Sequence, residues 1–592
     1  MKFIKLFLAG LLAFVVGSFV VSILWIVVLI GIASAGGTTT LVEKGSVLKI
    51  DLSEVIADAP STDPFAGFDL LSMQSTPQLS LLEAVRALEA AAADERIDGI
   101  YLRFDGVGGV DGTAVLEELR AALEAFKESG KFIVAYNETY TQGAYYLASV
   151  ADRIYLQPQG GMDWSGLSST VMFYKGLLDK LDVKMEVFRP TMCRYKSAVE
   201  PYIMTRMSPE NRAQMQALAD SMWKTIKEAV SASRGIPVEE LDRLADALAV
   251  TLPEEAVAHK LVDGVAYEDQ MKELLVEAGA STDSDDELRF VTLGEYASQV
   301  GGDLKHLSSP QVALVYAQGQ IVDGSGSGKQ IFGNTLAAQL REQRLDDEVK
   351  AVVLRVNSPG GSALASDIVW REMELLKAEK PVIVSMGSYA ASGGYYISAP
   401  ADAIVADKMT LTGSIGVFGM YPYTVDALKN KLGITIDGVK TNASSDMGAM
   451  SPLTPVERAT IMRGVDRVYE TFTGLVAEGR NLPLERVLEI AGGRVWSGED
   501  ALRIGLVDGC GGLKTAVALA ADKAELGEDF RLVEKIETPS GFAALLAGFS
   551  ARVKACVQRS ELEKFAEEYA AVEEAVSQRG LVMYSPVRVE LR

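Results

Sequence analysis

Ser392 is the residue whose surroundings best suit nucleophilic chemistry. It stands in Ala390-Ala391-Ser392-Gly393-Gly394-Tyr395-Tyr396, downstream of Asn357-Ser358-Pro359-Gly360-Gly361-Ser362. Acyl transfer requires a nucleophile, a base and two backbone N–H groups aimed at the developing oxyanion. The Gly360-Gly361 turn presents N–H groups that no Cβ screens, so Gly361 or Gly360 can supply one donor. The amide of Gly393, next to the nucleophile where a helix would begin, is the natural second donor. The base is harder to find. A Ser-His-Asp arrangement needs a histidine, and the chain has 2. His259 lies in Ala256-Val257-Ala258-His259-Lys260 and His306 in a join between domains, and each reads as a structural or surface imidazole. A lysine made neutral by burial is the alternative. Composition does not choose among the lysines.

Both glycine-rich phrases occur again upstream in eroded form. Leu102-Arg103-Phe104-Asp105-Gly106-Val107-Gly108-Gly109 aligns with Leu354-Arg355-Val356-Asn357-Ser358-Pro359-Gly360-Gly361. Thr141-Gln142-Gly143-Ala144-Tyr145-Tyr146 aligns with Ala391-Ser392-Gly393-Gly394-Tyr395-Tyr396, so Gln142 stands where Ser392 stands in the other copy. The offset is too long for a solenoid period and right for a duplicated domain. A hydroxyl kept in one copy and lost from the other assigns chemistry to one half and an assisting role to its twin. The copies close on similar phrases, Lys260-Leu261-Val262-Asp263-Gly264 and Gly505-Leu506-Val507-Asp508-Gly509.

Val352, Val353, Leu354 and Val356 predict a buried parallel strand. Leu364, Ile368, Val369, Met373 and Leu376 predict one face of a helix. Pro381-Val382-Ile383-Val384 predicts the next strand, with Ser392 in the turn where that strand yields to a helix. Such alternation predicts an α/β fold with crossover connections. The expected divisions are an N-terminal segment over residues 1–44, a first repeat over 45–302, a join over 303–310, a second repeat over 311–535 and a tail over 536–592. In the tail, Leu562, Phe565, Tyr569, Val572 and Val576 have the spacing of an amphipathic helix, which packs on its own domain or on another copy.

A length of 592 residues predicts more than one domain, and 48% hydrophobic content supplies large cores. A formal net charge of -23 argues against nucleic acid as a partner, because phosphates call for clustered Lys and Arg. The 3 cysteines lack CxxC spacing, which argues against a disulfide framework or a zinc site. After Lys2 and Lys5, residues 6–35 carry no charge, longer than the roughly 20 residues that span a bilayer. The expectation is a single-pass signal anchor in the plasma membrane, with the N-terminus cytoplasmic and the body extracytoplasmic. Ala33-Ser34-Ala35 also has the small residues of a cleavage site.

On the motifs Arg355-Val356-Asn357-Ser358-Pro359-Gly360-Gly361-Ser362, Ala390-Ala391-Ser392-Gly393-Gly394-Tyr395 and Thr410-Leu411-Thr412-Gly413-Ser414-Ile415-Gly416, the chain resembles the signal peptide peptidase A family in its long, two-repeat form. The resemblance covers nearly all of residues 45–535. It implies two tandem crotonase-like (Clp-protease-like) domains behind a transmembrane helix. It also implies a serine endopeptidase that degrades cleaved signal peptides and other apolar peptides at the membrane, without cofactor or metal, as a homotetramer. In this family the nucleophile corresponds to Ser392, the general base to Lys196 within Arg194-Tyr195-Lys196-Ser197-Ala198-Val199-Glu200-Pro201, and a serine bonded to that lysine to Ser414. The copies complement each other: the first has Lys196 but Gln142, and the second has Ser392 but Ala443-Ser444-Ser445-Asp446-Met447 in the approximate region of the lysine. A complete dyad therefore needs both repeats.

Other features read as decoys. Gly324-Ser325-Gly326-Ser327-Gly328-Lys329-Gln330 is one residue short of a phosphate loop and lacks its hydroxyl. Cys193 has no histidine partner, and Lys408 reads as a loop charge. Two rival functions share the fold: an acyl-CoA hydratase or isomerase, and a non-catalytic membrane scaffold. The anchor and the Ser/Lys pairing weigh against the first, and intact Ser392, Lys196 and Ser414 against the second.

Overall fold

The computed structural model describes residues 41–52, 56–61, 68–69, 74–75, 78–104, 110–300, 308–447, 451–536 and 581–584. The expected membrane anchor, the tail helix from Leu562 to Val576, His306 and the first copy's glycine turn lie outside them. Among the described residues, no helix is long and apolar enough to cross a membrane.

The first half contributes strands β1 (Ser46–Asp51), β2 (Ile97–Arg103), β3 (Phe132–Tyr140), β4 (Arg153–Met162), β5 (Lys184–Phe188), β6 (Gly264–Val265) and β7 (Arg289–Thr292). All but β5 form one parallel sheet in the order β6-β4-β3-β2-β1-β7. The second half contributes β8 (Gln311–Gln318), β9 (Ile321–Val322), β10 (Ile331–Phe332), β11 (Val349–Ser358), β12 (Gly360–Ser362), β13 (Val382–Ala391), β14 (Ala403–Ala406), β15 (Leu411–Gly413), β16 (Phe418–Tyr423), β17 (Val495–Ser497), β18 (Gly509–Cys510) and β19 (Arg531–Lys535). Its main sheet runs β18-β14-β13-β11-β8-β19, the same order in the same directions. At one end β15 joins β13, and β17 pairs with β15 antiparallel.

The duplication seen in the phrases recurs in their bonds. The Tyr145 hydroxyl donates to the Leu261 carbonyl at 2.6 Å and the Tyr395 hydroxyl to that of Leu506 at 2.7 Å. Asp263 accepts from the Ile154 amide at 2.8 Å and Asp508 from that of Ile404 at 2.7 Å. The closing Leu-Val-Asp-Gly phrase thus ties a sheet strand to the helix that follows the nucleophile position.

Helices α1 (Thr113–Lys127), α2 (Gln142–Ala148), α3 (Pro209–Arg234), α4 (Ala363–Lys377) and α5 (Gly393–Ser398) pack around these sheets. Val352, Val353, Leu354 and Val356 are fully buried in β11, each removal from water stabilising the fold by about 1.5–3 kcal/mol. The expected face of α4 is rotated. Val369, Met373 and Leu376 are buried, but Leu364 is 61% exposed and Ala365 and Ser366 take the inner positions. The reason is packing: Ala365 lies close against Gly333 and Ser366 against Gly393, where a leucine would not fit.

A third sheet joins the halves, in the order β10-β9-β12-β20-β16-β5, where β20 is Leu581–Tyr584 from the far end of the chain. In it β5 of the first half pairs antiparallel with β16 of the second, from Phe188 opposite Gly419 to Lys184 opposite Tyr423. The halves are also bolted by Arg355, in β11. Its buried guanidinium donates to Asp58 at 2.6 Å and lies 2.7 Å from Glu118, both from the first half, and also donates to Ser385 at 2.7 Å.

Candidate active site

Ser392 falls between β13 and α5, as the sequence predicts. Its backbone takes φ 57 and ψ -111, a conformation that costs a non-glycine residue on the order of 1–3 kcal/mol and concentrates at functional positions. The strain is held by neighbours: the Ser392 amide donates to the Gly413 carbonyl and its own carbonyl accepts the first helical bond of α5, from Tyr396, both at 2.8 Å. In the first half Gln142 opens α2 and is buried, with its amide group clamped on the backbone of Ser165 and Gly166. What serves the nucleophile position in one copy is a loop fastener in the other.

Lys196 reaches Ser392 from the loop after β5. Its Nζ lies 2.6 Å from Ser392 Oγ, 2.9 Å from the Ser414 carbonyl oxygen and 3.0 Å from Ser414 Oγ. A neutral amine has two N–H donors and one lone pair, and this geometry uses all three. The N–H groups serve the two Ser414 oxygens, and the lone pair is left for the Ser392 hydroxyl. Ser414 Oγ is 3.4 Å from the Gly493 carbonyl, which gives its own proton a direction away from the amine. All three residues are buried, Lys196 being 1% exposed. No carboxylate appears among the groups acting on the lysine, and burial alone drives its pKa from 10.5 down to about 7. An uncompensated ammonium in such a site costs too much.

The glycines settle into distinct positions. Gly360 has φ 102, in the left-handed region, and its amide donates to Ser358 Oγ at 3.2 Å. That bond engages Gly360 and leaves Gly361 as the better-placed donor. The Gly361 amide nitrogen lies 3.1 Å from where a Cβ on Gly393 would stand, so both glycines border one space beside Ser392.

Several residues that hold the lysine were not foreseen. Gln214, on α3 and fully buried, donates to the Tyr195 carbonyl at 3.0 Å and to Ser197 Oγ at 2.9 Å, and accepts from the Val495 amide of β17 at 3.3 Å. It grips the residues on both sides of Lys196 and ties them to the other half. Arg189 donates to the Lys196 carbonyl at 2.9 Å, and the Tyr195 amide donates to Gly492 at 2.9 Å. A Cβ on Gly493 would press on Lys196 Cβ at 2.7 Å, so glycine there is a condition of the loop's close approach. Nothing in the local pattern separates Gln214 from the other polar residues of its helix.

The remaining candidates stay apart from the site. His259 is partly exposed at the end of a first-half helix, 4.0 Å from Glu240. Lys408 is exposed and Cys193 is buried, its thiol pKa pushed up by desolvation. Residues 324–330 form a largely exposed loop. Among the described residues no cluster of His, Cys, Asp and Glu could hold a metal ion.

Comparison with known proteins points the same way. The model of peptidase family S49 matches residues 125–281 and 374–527, one stretch in each half. The chain is 38% identical to Protease 4 of Salmonella typhi over 504 residues, covering 83% of this chain and 80% of that protein. It is 37% identical to Protease 4 of Haemophilus influenzae over 521 residues, covering 86% and 84%. It is 33% identical to the chloroplastic serine protease SPPA of Arabidopsis thaliana over 521 residues, covering 86% and 74%.

Proposed function

This chain belongs to peptidase family S49 and is a serine endopeptidase of the signal peptide peptidase A type, and on that premise we propose that Ser392 and Lys196 form its catalytic dyad across two tandem crotonase-like domains, residues 45–302 and 311–535. The observation that carries the proposal is the 2.6 Å approach of Lys196 Nζ to Ser392 Oγ from opposite halves of the molecule. Neutral Lys196 takes the Ser392 proton as Oγ attacks the scissile carbonyl. The amides of Gly361 and Gly393 bind the oxyanion, while Gly360 shapes the turn that presents Gly361. The lysine, now charged, returns its proton to the leaving amine and then activates the water that releases the acyl-enzyme. Ser414 orients the amine in each step. None of these steps calls on a metal or cofactor.

The substrates in this reading are signal peptide remnants and other apolar peptides, met at a plasma membrane into which residues 6–35 anchor the chain, with the body on the extracytoplasmic side. The homotetramer belongs to the same reading. Exposed Leu177, Leu181, Leu432 and Ile434, grouped around the Asp182–Lys431 ion pair, support a contact surface there. The acyl-CoA reading loses its ground with the family.

The test is hydrolysis of a fluorogenic apolar peptide by the purified chain, by Ser392→Ala and by Lys196→Ala. Each substitution is expected to abolish turnover while leaving the fold intact, and the double variant to be little worse than either, because groups that act as a unit are not additive. Near-normal turnover in Lys196→Ala would overturn the dyad.

A further inference from the structure

The two halves also enclose a cleft of about 820 Å³ that shares no residue with the site around Ser392. That volume is within the range of small-molecule sites. Helix α1 runs along it. Glu117, Ala121 and Ala125 are spaced four apart and so lie in one row, an acidic end leading into a strip of small apolar side chains. Leu82 of the helix Leu81–Ala93 lines the cleft from the first half, and Val517 of the helix Leu513–Lys523 from the second.

The acidic end is built from both halves. Glu117 accepts from the Lys408 and Met409 amides at 3.2 and 2.6 Å, and Glu118 from the Leu513 amide at 2.6 Å. Asp407, between β14 and β15, completes it and is 5% exposed. Its Oδ2 is buried without a hydrogen-bond partner among the described residues. Cations are scarce at this end. Arg355 is already shared by Asp58 and Glu118, and neither Glu117 nor Asp407 has an ion-pair partner among the described residues. The other cations of the lining are engaged: Arg120 lies 3.0 Å from Glu124, and Lys514 is paired with Glu89. Burial pushes the Glu117 and Asp407 carboxyls up from their usual range, Glu117 to about 7, and exposed Lys408 offsets only part of this at Glu117. Carboxylates so placed gain from a partner that brings a positive charge into the cleft. Among the described residues the acids are not arranged to hold a metal ion, so the matching cation is an organic one whose remainder suits the apolar strip.

We propose that this cleft binds a small aliphatic ammonium compound, its head against Asp407, Glu117 and Glu118 and its chain along Ala121 and Ala125, independently of the peptidase chemistry. Both halves supply contacts, so such a ligand binds only their docked arrangement and stabilises it by mass action. The head gives the carboxylates the charge they lack. The chain adds affinity of about fourfold for each CH2 removed from water.

The test is isothermal titration calorimetry with hexylammonium, butylammonium, hexanol and hexanoate on the full chain in lipid nanodiscs. Variants are measured in the same discs, so that uptake by lipid cancels. Hexylammonium should bind about fifteenfold more tightly than butylammonium. It should bind roughly tenfold more tightly than hexanol, and hexanoate should bind least, because only an ammonium pairs with the buried charge. Asp407→Asn keeps the shape and removes the unpartnered charge; it should weaken hexylammonium about tenfold and leave hexanol unchanged. Ala121→Trp, at an exposed position of α1, fills the cleft and should abolish binding of both. Thermal denaturation checks that each variant folds, and hexylammonium should raise the Tm of the parent chain but not that of Ala121→Trp. Equal affinity for hexylammonium and hexanol, a preference for hexanoate, or undiminished hexylammonium binding in either variant would overturn the proposal. So would heats no larger than those of empty discs.

Discussion

The pKa of Lys196 offers a quantitative test of the mechanism. A solvated lysine near 10.5 is neutral in only about three molecules in ten thousand at pH 7, whereas one at about 7 is half neutral, a gain in free base of roughly a thousandfold. Activity should therefore follow a single ionisation, with kcat/KM rising about tenfold per pH unit below a midpoint near 7 and levelling off above it. The same displacement makes a prediction about stability. Between about pH 7 and 10.5 the unfolded chain holds a proton on Lys196 that the folded chain does not, so stability rises with pH by about 1.4 kcal/mol per unit. Below pH 7 the whole cost of burial is present, on the order of 5 kcal/mol.

Lys196→Met should abolish activity and remove this slope. Its absolute stability at pH 7 is a poorer signature. Relief of the burial cost is offset by leaving the Ser414 carbonyl and two hydroxyls without the amine, each loss costing about 1–3 kcal/mol. Chemical denaturation of both proteins at pH 7, 8 and 9 measures the difference in slope directly. A kcat/KM midpoint above 9, or equal slopes in the two proteins, would refute the neutral-lysine argument. A profile abolished by replacing His259 or His306 would refute the dyad itself.

Three further outcomes are expected. Ser414→Ala should reduce kcat less than Lys196→Met, because it removes one acceptor of the amine and leaves the base in place; steady-state kinetics with an apolar peptide decide this. Gln214→Ala should lower kcat roughly 10–100-fold with little change in KM and broaden or shift the pH profile, since it frees the loop on both sides of Lys196 without touching substrate. Arg355→Met strips the partner from buried Asp58 and Glu118 and should cost about 3–5 kcal/mol at neutral pH, measured by thermal or chemical denaturation.

Much of this molecule is legible in its residues. β-branched runs such as Val352 to Val356 encode buried strands because side-chain burial and backbone preference agree there. The shared phrases record the duplication, and Ser392 can be set in a strand-to-helix turn from its neighbours alone. The glycines that border it follow from the need for close backbone approach. Identifying Lys196 required the resemblance to a family, because nothing local separates it from other lysines.

What tertiary structure decides is everything that depends on two distant segments meeting. Lys196 is an effective base only because both halves bury it beside Ser392 without a carboxylate, and desolvation is a property of that packing. Gln214, Gly493 and the Asp58–Arg355 bolt act across the same join, and their types reveal no such role until the halves are docked. The face of α4 is rotated for a similar reason, since periodicity marks which residues are apolar and close neighbours such as Gly333 and Gly393 select which of them fits. The strand Leu581–Tyr584 is the furthest case. Its apolar residues could add to any free edge, and only the tertiary structure places them between β12 and β16.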